Sequence, residues 1–424
     1  MFKQWKDVAI APADILLPSD SVDLSLWAVV ACDQYTAQPL YWQAVEETVK
    51  DSPSTLHITL PEIYLAQSEK RIPGIHEAMK SYLEKGILKE AVSGGFVLTE
   101  RTTQSGSRLG LVAAVDLESY DFHKDSRSMV RATEGTILSR IPPRLMVREN
   151  APLESPHVLL LLDDIQKTVI EPLYDVRNAL TPLYDVVLMS GGGRLKGWAV
   201  TDQALIKGVG EALSALLQKL PKDNPLLMAV GDGNHSLATA KTHWENVKQT
   251  LTKDQAQTHP ARYTLAEIEN IHDAALSFHP IHRVVFHADG EALMQDWQKY
   301  CTARGMVLSD TAIEAGHTFA VLYNGLEKTV TIGCPESSLP VGTLQKFLDD
   351  YISRHSGVEI DYIHGEGTVK DLCKEPNTVG FLVPGLEKSA LLPAVRQEGA
   401  LPRKTFSMGE AHEKRYYMEC RKIL

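Results

Sequence analysis

The stretch VGDGNHSLATAK, from Val230 to Lys241, combines the end of a strand, a polar glycine turn and the start of a helix. Residues 225–230 form a short apolar run that is typical of a buried strand. From Leu237 onward, apolar residues recur at steps of three and four, as on one face of a helix. The stretch therefore predicts a strand–turn–helix unit, from which α/β folds are built.

The turn itself carries groups that suit a ligand. Gly231 and Gly233 allow a close backbone approach, and the N-terminus of the following helix presents N–H groups that favour an anion. Asp232 and His235 add a carboxylate and an imidazole at the same point. The competing interpretation is purely structural, with Asn234 as the N-cap after an ordinary Gly-Asp-Gly turn. The pattern alone leaves both interpretations open.

The rest of the chain alternates strand and helix patterns, which indicates a mixed α+β protein of the α/β class with a central mixed sheet and helices. We expect an N-terminal α/β domain over residues 1–280 that carries the glycine turn and an arginine-rich loop. The pattern changes after residue 280 and predicts a smaller C-terminal α+β subdomain with a tail over residues 281–424. Further predictions are a buried strand at residues 26–31, a helix over residues 39–50 and a hairpin from residues 184–189 and 196–200.

Composition excludes several classes of function. The 424 residues are 44% hydrophobic and 23% charged, which is typical of a soluble globular protein, and no apolar run is long enough for a membrane span or a signal peptide. The net charge of −11 argues against a nucleic-acid partner, which requires a basic surface. The five cysteines form no CxxC or Cys/His cluster, so a structural zinc site is not expected. We therefore expect a cytoplasmic protein with no membrane partner.

A second candidate cluster lies between residues 131 and 148, where the carboxylate of Glu134 is surrounded by arginines. Arginine binds phosphate through a planar fork of donors, and a nearby carboxylate can take a proton from an attacking hydroxyl. Pro142 and Pro143 are expected to prevent a continuous helix, so the arginines are predicted to lie on a loop. The alternative is a solvated charged loop without a ligand.

Other polar residues offer weaker signals. Asp33 follows the first predicted strand, where ligand-binding residues of α/β folds are often found, and capping the next turn is its competing role. His282 and Arg283 stand together at a predicted strand start and are candidates to contact an anion, and the alternative is that one of them is a surface or structurally satisfied residue. His364 and Glu366 lack a third metal ligand and are interpreted as structural. No GxSxG, P-loop or GxGxxG motif follows a strand, so hydrolase, P-loop ATPase and classical dinucleotide interpretations lack support.

Together these motifs resemble the bacterial and archaeal family catalogued as domain of unknown function 1015. The resemblance covers nearly the whole chain. It is specific because the matching motifs are spread along that length. It rests on ACDQYT (31–36) with Gln38 and Pro39, RATEGT (131–136), GDGNHS (231–236), PARY (260–263), PIHRV (280–284) and PRKT (402–405).

The turn at residues 231–236 is also similar to the Asp-Gly-His-His-Arg turn of the wider ParB and sulfiredoxin-like group. That group includes nucleotide-dependent free-serine kinases and CTP-binding chromosome-partitioning proteins, in which this turn and its helix hold nucleotide phosphates. The resemblance implies that the turn residues hold phosphates or Mg²⁺ and that an acidic residue elsewhere activates the hydroxyl. We assign the latter role to Glu134 by analogy.

The turn departs from the kinase pattern at two positions. Asn234 and Ser236 stand where the kinase turn has His and Arg. The change at Ser236 removes one phosphate fork, for which Arg262 and Arg283 are the candidate replacements.

The leading hypothesis is a nucleotide-dependent kinase of a small hydroxylated metabolite such as serine, using ATP or ADP with Mg²⁺. The expected catalytic residues are Glu134, Asp232 and His235, with Asp232 also as the metal ligand and with Asp33 and Gln34 at the substrate. Phosphate binding is assigned to Gly231, Gly233, Asn234, Ser236, Arg131, Arg140, Arg144, Arg283 and Lys404. Two alternatives are a non-enzymatic nucleotide-binding regulator and a protein whose GDGNH turn is purely structural. The oligomeric state stays open, with a homodimer among the alternatives.

Overall fold

The computed structural model describes Trp5 and residues 7–424, which divide into two compact units. The first unit comprises Met1–Ser277 together with Gly409–Leu424, and the second comprises Phe278–Met408. Both units combine strands and helices, so the predicted mixed α/β class with a smaller second α+β part is confirmed. None of the helices in the described part of the chain combines the length and apolar character needed to span a membrane.

The first unit is built on a large mixed sheet. Its strands up to residue 270 are β1 (Ile10–Ala11), β2 (Ala13–Pro18), β3 (Leu88–Thr103), β4 (Gly106–Asp116), β5 (Tyr120–Asp121), β6 (Val130–Ala132), β7 (Leu153–Glu154), β8 (Leu159–Leu162), β9 (Thr181–Val187), β10 (Arg194–Val200), β11 (Met228–Asp232) and β12 (Tyr263–Asn270). The main strand order is β5-β6-β11-β8-β12-β4-β3-β10-β9, while β1 pairs with β4 and β2 pairs with β3. The sheet is mixed because β11 runs parallel to β6 but antiparallel to β8.

Helices accompany this sheet. They are α1 (Leu24–Trp27), α2 (Pro39–Val49), α3 (Ser68–Glu84), α4 (Ile141–Arg148), α5 (Glu171–Asp175), α6 (Gln203–Gln218), α7 (Asn234–Lys248) and α8 (Lys253–Thr258). All four leucines of β8 are buried, as expected for a central strand with both faces covered. Trp42 on α2 and Trp244 on α7 are completely buried in the same core.

Two local predictions are confirmed and one is wrong. The helix at residues 39–50 forms as α2, and the predicted hairpin forms from β9 and β10. The run at residues 26–31 was expected to be a strand, but it begins inside the short helix α1. Asp23 caps that helix through a 2.9 Å hydrogen bond from the backbone N–H of Ser25. The run then continues as extended chain with a single bridge, from Val30 to Tyr416.

The second unit carries an antiparallel sheet with its own core. Its strands are β13 (Phe278–Phe286), β14 (Val307–Ser309), β15 (His317–Tyr323), β16 (Leu326–Gly333), β17 (Glu359–His364), β18 (Thr378–Leu382) and β19 (Phe406–Met408). The helices are α9 (Gly290–Ala303), α10 (Pro340–Arg354), α11 (Glu366–Leu372) and α12 (Lys388–Glu398). Trp297 of α9 is completely buried and stacks on Phe347 of α10, with ring centroids 5.2 Å apart.

The C-terminal tail belongs to the first unit, whereas the sequence analysis assigned it to the C-terminal subdomain. Its last strand, β20 (Arg421–Lys422), pairs with β7. The physical reason is a buried ion network. Arg415 donates to Glu267 of β12 at 2.9 Å and to Glu419 at 2.8 Å, and all three side chains are at least nine-tenths buried. Tyr184 of β9 also donates to Glu419, so the tail is tied to two strands of the large sheet.

Removing the central cation of this network should be costly. We expect Arg415→Met to lower the free energy of unfolding by about 3–5 kcal/mol, because it leaves two buried carboxylates without their partner. Urea denaturation followed by circular dichroism measures the loss. The matched control is Arg194→Met in the exposed Arg194–Asp185 pair, which should leave the midpoint nearly unchanged. Equal midpoints for the two variants would contradict this account of the tail.

Candidate functional site

The predicted strand–turn–helix unit is formed by β11 and α7. The pairing of β11 with β8 shifts register between Val230 and Asp232, so Gly231 sits at a bulge. Gly233 then adopts a left-handed backbone with φ +78°, and a Cβ there would lie 3.0 Å from the Cα of Val158. A side chain at this position would meet both backbone strain and a steric clash. The turn therefore depends on glycine at residue 233.

The N-terminus of α7 presents backbone N–H groups without a cap. Gly233 is the N-cap residue and Asn234 is the first helical residue, which corrects the expectation that Asn234 caps the helix. No described side chain accepts a hydrogen bond from the start of α7. The first intrahelical bond runs from the N–H of Leu237 to the carbonyl of Gly233 at 3.0 Å. The N–H groups of residues 234–236 thus stay available to an anion.

The loop that follows β6 reaches this turn. Because β6 and β11 are parallel, both strands end at the same edge of the sheet. The hydroxyl of Thr133 donates to the carbonyl of Val230 at 2.7 Å, and Glu134 follows directly. The N–H of Ile137 donates to Nε2 of His235 at 3.2 Å. The structure therefore brings the segment of Glu134 to the segment of Asp232 and His235, a placement that the sequence left open.

The C-terminal part of the arginine-rich segment, Ile141–Arg148, is helical rather than a loop. Its prolines, Pro142 and Pro143, lie in the first turn of α4. The N–H groups of a first turn make no intrahelical hydrogen bond, so proline, which lacks the N–H, is tolerated there. Arg144 and Arg148 are therefore one turn apart on α4. Arg144 forms an ion pair with Glu62 and also donates to the carbonyl of Arg140. The predicted loop is thus corrected to a helix over Ile141–Arg148, which packs beside α7.

Asp33 lies at the centre of a polar cluster. Its Oδ2 is 3.5 Å from Nε2 of His157, and its Oδ1 accepts from the Gln34 amide at 2.9 Å. Burial raises the pKa of Asp33, but the charge and hydrogen bond of His157, with Gln34 and Lys414, hold it below its usual range. The hydroxyl oxygen of Tyr417 lies 2.9 Å from Nδ1 of His157. The structure therefore joins the ionised carboxylate of Asp33 to the neutral amide of Gln34 by a hydrogen bond.

Lys414 is a site residue that the sequence analysis missed. Its ammonium lies 3.4 Å from Oδ2 of Asp232, and its charge also acts on Asp33. The side chain is only 14% exposed, so the positive charge is held inside the cluster rather than in solvent. No local pattern marked this residue, because it stands in a polar tail far from the turn in sequence and reaches it only through the anchoring of Arg415.

Two of the predicted cations of the first unit are engaged elsewhere. Arg131 is buried and donates to the carbonyl of Ser128 and to Asn224, which precedes β11. Arg262 forms a two-pronged pair with Asp116, at 2.9 and 2.6 Å. Its fork is therefore used within the scaffold and does not replace the arginine missing from the turn.

Arg283 and Lys404 belong to the second unit. Arg283 is completely buried on β13, where it donates to Gln345 at 3.0 Å and to the carbonyl of Lys404 at 3.0 Å. This arrangement closes the segment at residues 403–404 against β13. Arg283 thus contributes to the packing of the second unit, and the phosphate role expected of Arg283 and Lys404 stays a prediction.

A cavity of about 120 Å³ lies beside the cluster within the first unit. Its polar lining includes Arg144, Arg148 and His157, and Ser236 and Thr239 of α7 reach it from the turn. Cys32 also lines it, but burial raises the pKa of this thiol to about 12, so it is a neutral group and not a nucleophile. The remaining lining is mainly apolar and includes Ile58, Leu60, Leu65, Met79 and Val147. The cavity is thus a small pocket with charged groups at defined positions.

Asp232 suits a divalent cation only in a shared site. Among the described residues, no cluster of three or more His, Cys, Asp or Glu side chains is placed to hold a metal. Mg²⁺ in nucleotide sites is usually held by one or two carboxylates and by the phosphates themselves. The Asp232 carboxylate, 18% exposed and hydrogen-bonded to the N–H of Gly233, fits that sparse protein contribution.

The sequence matches the family model described as protein of unknown function (DUF1015) over residues 10–351. The chain therefore belongs to this family. No protein with a curated function matches the sequence.

Several solved structures match the chain at low similarity. A free serine kinase in complex with AMP is 10% identical and covers 74% of this chain and 92% of its own, with a TM-score of 0.39. A conserved hypothetical protein from Pyrococcus furiosus is 11% identical, with 71% and 90% covered and a TM-score of 0.35. SbnI with a C-terminal truncation from Staphylococcus aureus is 10% identical, with 70% and 82% covered and a TM-score of 0.37.

His235 gives this arrangement a measurable signature. Burial lowers the pKa of His235 to about 4, with help from the charges of Arg144 and Arg140, while Asp33 opposes the shift. The neutral ring can therefore accept from Ile137 at neutral pH. Because the folded pKa lies below the unfolded value, the stability that this group contributes is present above about pH 6.5 and is lost as the pH falls towards 4.

We expect an NMR titration of the His235 ring to give a pKa near 4, and a higher value in Arg144→Met because a repelling charge is removed. A pKa for His235 close to that of a free histidine would contradict the buried, accepting role of its ring.

Proposed function

We propose that this member of the DUF1015 family binds ATP or ADP with Mg²⁺ at the turn of residues 231–236 and transfers a phosphoryl group to a small hydroxylated metabolite, as a serine kinase does. The observation that carries the proposal is the convergence at one point of the uncapped N-terminus of α7, the carboxylate of Asp232 and the ammonium of Lys414. Phosphoryl transfer requires these groups: backbone N–H groups and a cation for the phosphates, and a carboxylate for the metal.

Each group of the turn has a role in this proposal. The N–H groups of Asn234, His235 and Ser236 hold phosphate oxygens, and Gly231 and Gly233 keep side chains away from them. Asp232 is the protein ligand of Mg²⁺, which would neutralise charge on the phosphates. His235 holds the segment of Glu134 in place through Ile137. The sequence resemblance of the turn to the ParB and sulfiredoxin-like group supports the same assignment.

Lys414 replaces the arginine that the turn lacks. Ser236 provides no charge, and Arg262 is consumed by its pair with Asp116. Lys414 provides one positive charge within the cluster, and Arg140 and Arg144 add to the positive field that acts on His235. Lysine binds phosphate as a point charge, so its exact orientation matters less than that of an arginine fork.

The acceptor hydroxyl attacks the terminal phosphorus, the bond from that phosphorus to the leaving nucleotide oxygen breaks, and the hydroxyl proton passes to Glu134. Asp33 and Gln34 orient the hydroxyl, because the ionised carboxylate of Asp33 accepts from the Gln34 amide and lies beside His157, which lines the cavity. Most of the catalysis is positioning and electrostatic stabilisation, since the chain supplies no covalent nucleophile in this scheme.

The test measures ADP binding and turnover in the same variants. Lys414→Met should weaken ADP binding by about 10-fold or more, because a charge-assisted contact is worth about 1.5–3 kcal/mol. Its control, Lys422→Met at an exposed position of β20, should bind like the wild type. Glu134→Gln should abolish turnover and leave ADP binding unchanged, whereas Asp33→Asn should mainly raise the KM of the acceptor.

Each outcome separates the alternatives. If the wild type binds neither ATP nor ADP, neither nucleotide will raise its thermal stability, because a ligand stabilises only the state that binds it. The turn would then be purely structural. Binding without consumption of nucleotide would favour the non-enzymatic regulator. Full turnover in Glu134→Gln would remove that residue from the proton transfer.

A further inference from the structure

The tail residues that precede Lys414 are held by two arginines of the large sheet. Arg101 of β3 donates to the carbonyl of His412 at 3.3 Å, and Arg108 of β4 donates to the carbonyl of Glu413 at 2.9 Å. Both donors are largely buried, with side-chain exposure of only 12% for Arg108. The seating of the tail on the sheet therefore fixes the backbone from which Lys414 reaches the glycine turn.

More carboxyl groups than guanidinium groups interact at this seat. Three guanidinium groups stand against five carboxyl groups, so two negative charges are in excess if every carboxyl is ionised. Such an excess in a buried site favours the uptake of a proton by one of the carboxyl groups. The cluster consists of Arg101, Arg108, Arg415, Glu267, Glu269, Asp273, Glu413 and Glu419, with Tyr184, Tyr416 and His412 beside them.

Glu269 of β12 is the carboxyl group of this cluster that lacks hydrogen bonds. The other four each accept at least two. Both oxygens of Glu269 are buried, and neither has a hydrogen-bond donor within the described part of the chain. The Nε of Arg108 lies 2.8 Å from its Oε1, but the N–H does not point along a hydrogen bond. A buried carboxylate without hydrogen bonds costs more free energy than a neutral carboxyl, so the geometry selects Glu269 as the site of the proton.

The electrostatics of the cluster support this assignment. Burial raises the pKa of Glu269 to about 7, and the charges of Glu267 and Asp273 add to the rise, whereas Arg108 and Arg101 oppose it. Arg108 also connects Glu269 to the tail, because the same guanidinium donates to the carbonyl of residue 413. Lifting of the tail would open this guanidinium, and through it Glu269, to water.

We propose that Glu269 keeps a proton beneath the tail and that this proton makes the seating of residues 412–415, and so the placement of Lys414, dependent on pH. When the tail lifts, Glu269 meets water and releases the proton to it. The seated tail thus binds one proton more than the lifted tail. The proton link itself does not need a nucleotide, and it rests on the proposed function only for the role of Lys414 at the phosphates.

The direction of the pH dependence follows from the pKa of Glu269. The value in the seated state, about 7, lies above the ordinary value of 4.5 that water would restore in the lifted state. Seating is therefore strongest in acid, weakens as the pH rises from 4.5 to about 7, and changes little above that. Mildly alkaline conditions thus loosen the hold on Lys414.

Hydrogen exchange of the tail amides, followed by mass spectrometry, measures the seating equilibrium. The N–H groups of Tyr417 and Cys420 donate to the carbonyls of Val29 and Leu16 at 2.9 Å, so lifting of the tail exposes them to exchange. After correction for the intrinsic exchange rate, their protection in the wild type should fall about 10-fold between pH 6 and pH 8, because one proton is lost from the seated state alone.

Two variants assign this fall to one residue. Glu269→Gln keeps the shape of the side chain but carries no titrating proton, so it should abolish the fall. The matched control is Glu211→Gln in the exposed Lys207–Glu211 pair of α6, which should retain it. A fall of equal size in Glu269→Gln, or flat protection in the wild type, overturns the proposal.

Infrared spectroscopy of the wild type detects the proton directly and decides the proposal even if Glu269→Gln does not fold. A band of a protonated carboxyl should disappear as the pH rises through about 7, and the folded variant should lack it. The absence of any carboxyl band that titrates near pH 7 overturns the proposal.

Measurements of ADP binding separate this proposal from the nucleotide site. A wild type that binds ADP but shows flat tail protection keeps the nucleotide site and refutes the proton link. A fall in protection that Glu269→Gln abolishes, in a protein that ignores ADP, supports the proton link and refutes the nucleotide site.

Discussion

The step from β11 into α7 depends on the left-handed backbone of Gly233, and the candidate site is arranged around that step. The glycine lies against Val158 of the neighbouring chain segment, so the helix starts where a Cβ would clash. Because no described side chain caps the helix, its first N–H groups remain unfilled at the edge of the sheet. The parallel pairing of β6 and β11 brings Glu134 to that edge. A local backbone constraint thus sets the position of the site.

The second constraint is the anchoring of the C-terminal tail. A buried ion network is formed by Arg415, Glu267 and Glu419. Removing these charges from water costs free energy, so the network is stable only if each charged group has its partners. Its neighbours Lys414 and Tyr417 then reach Asp232 and His157. The family model matches residues 10–351, so these tail residues lie outside the matched region. We infer that the tail completes the site rather than merely closing the fold.

The sequence predicted what periodicity and local chemistry determine. The glycine turn, the helix α2 and the hairpin of β9 and β10 follow from short-range patterns, and the structure has all three. The prolines of α4 misled the prediction, because proline ends a helix in its interior but is tolerated in its first turn. The cap was also misassigned, since side-chain preference favoured Asn234 over the glycine before it.

Long-range contacts explain the remaining differences. Lys414 reaches Asp232 from far along the chain, and no spacing within the tail encodes that contact. Arg131 lies on β6 in the correct segment, but its guanidinium turns back to Asn224. Arg283 is a buried donor of the second unit although its motif is as specific as the others. Charge and motif identify candidates, whereas the fold decides which of them share a site.

The central claim is that the N-terminus of α7 holds nucleotide phosphates. The most direct measurement is an NMR titration of the backbone amides with ADP and Mg²⁺, since amide shifts report the hydrogen bonds that phosphate oxygens would form. The account predicts the largest saturable shifts at residues 234–236, with smaller shifts along the rest of α7. Shifts that spare these amides, or that are confined to another part of the protein, would contradict it.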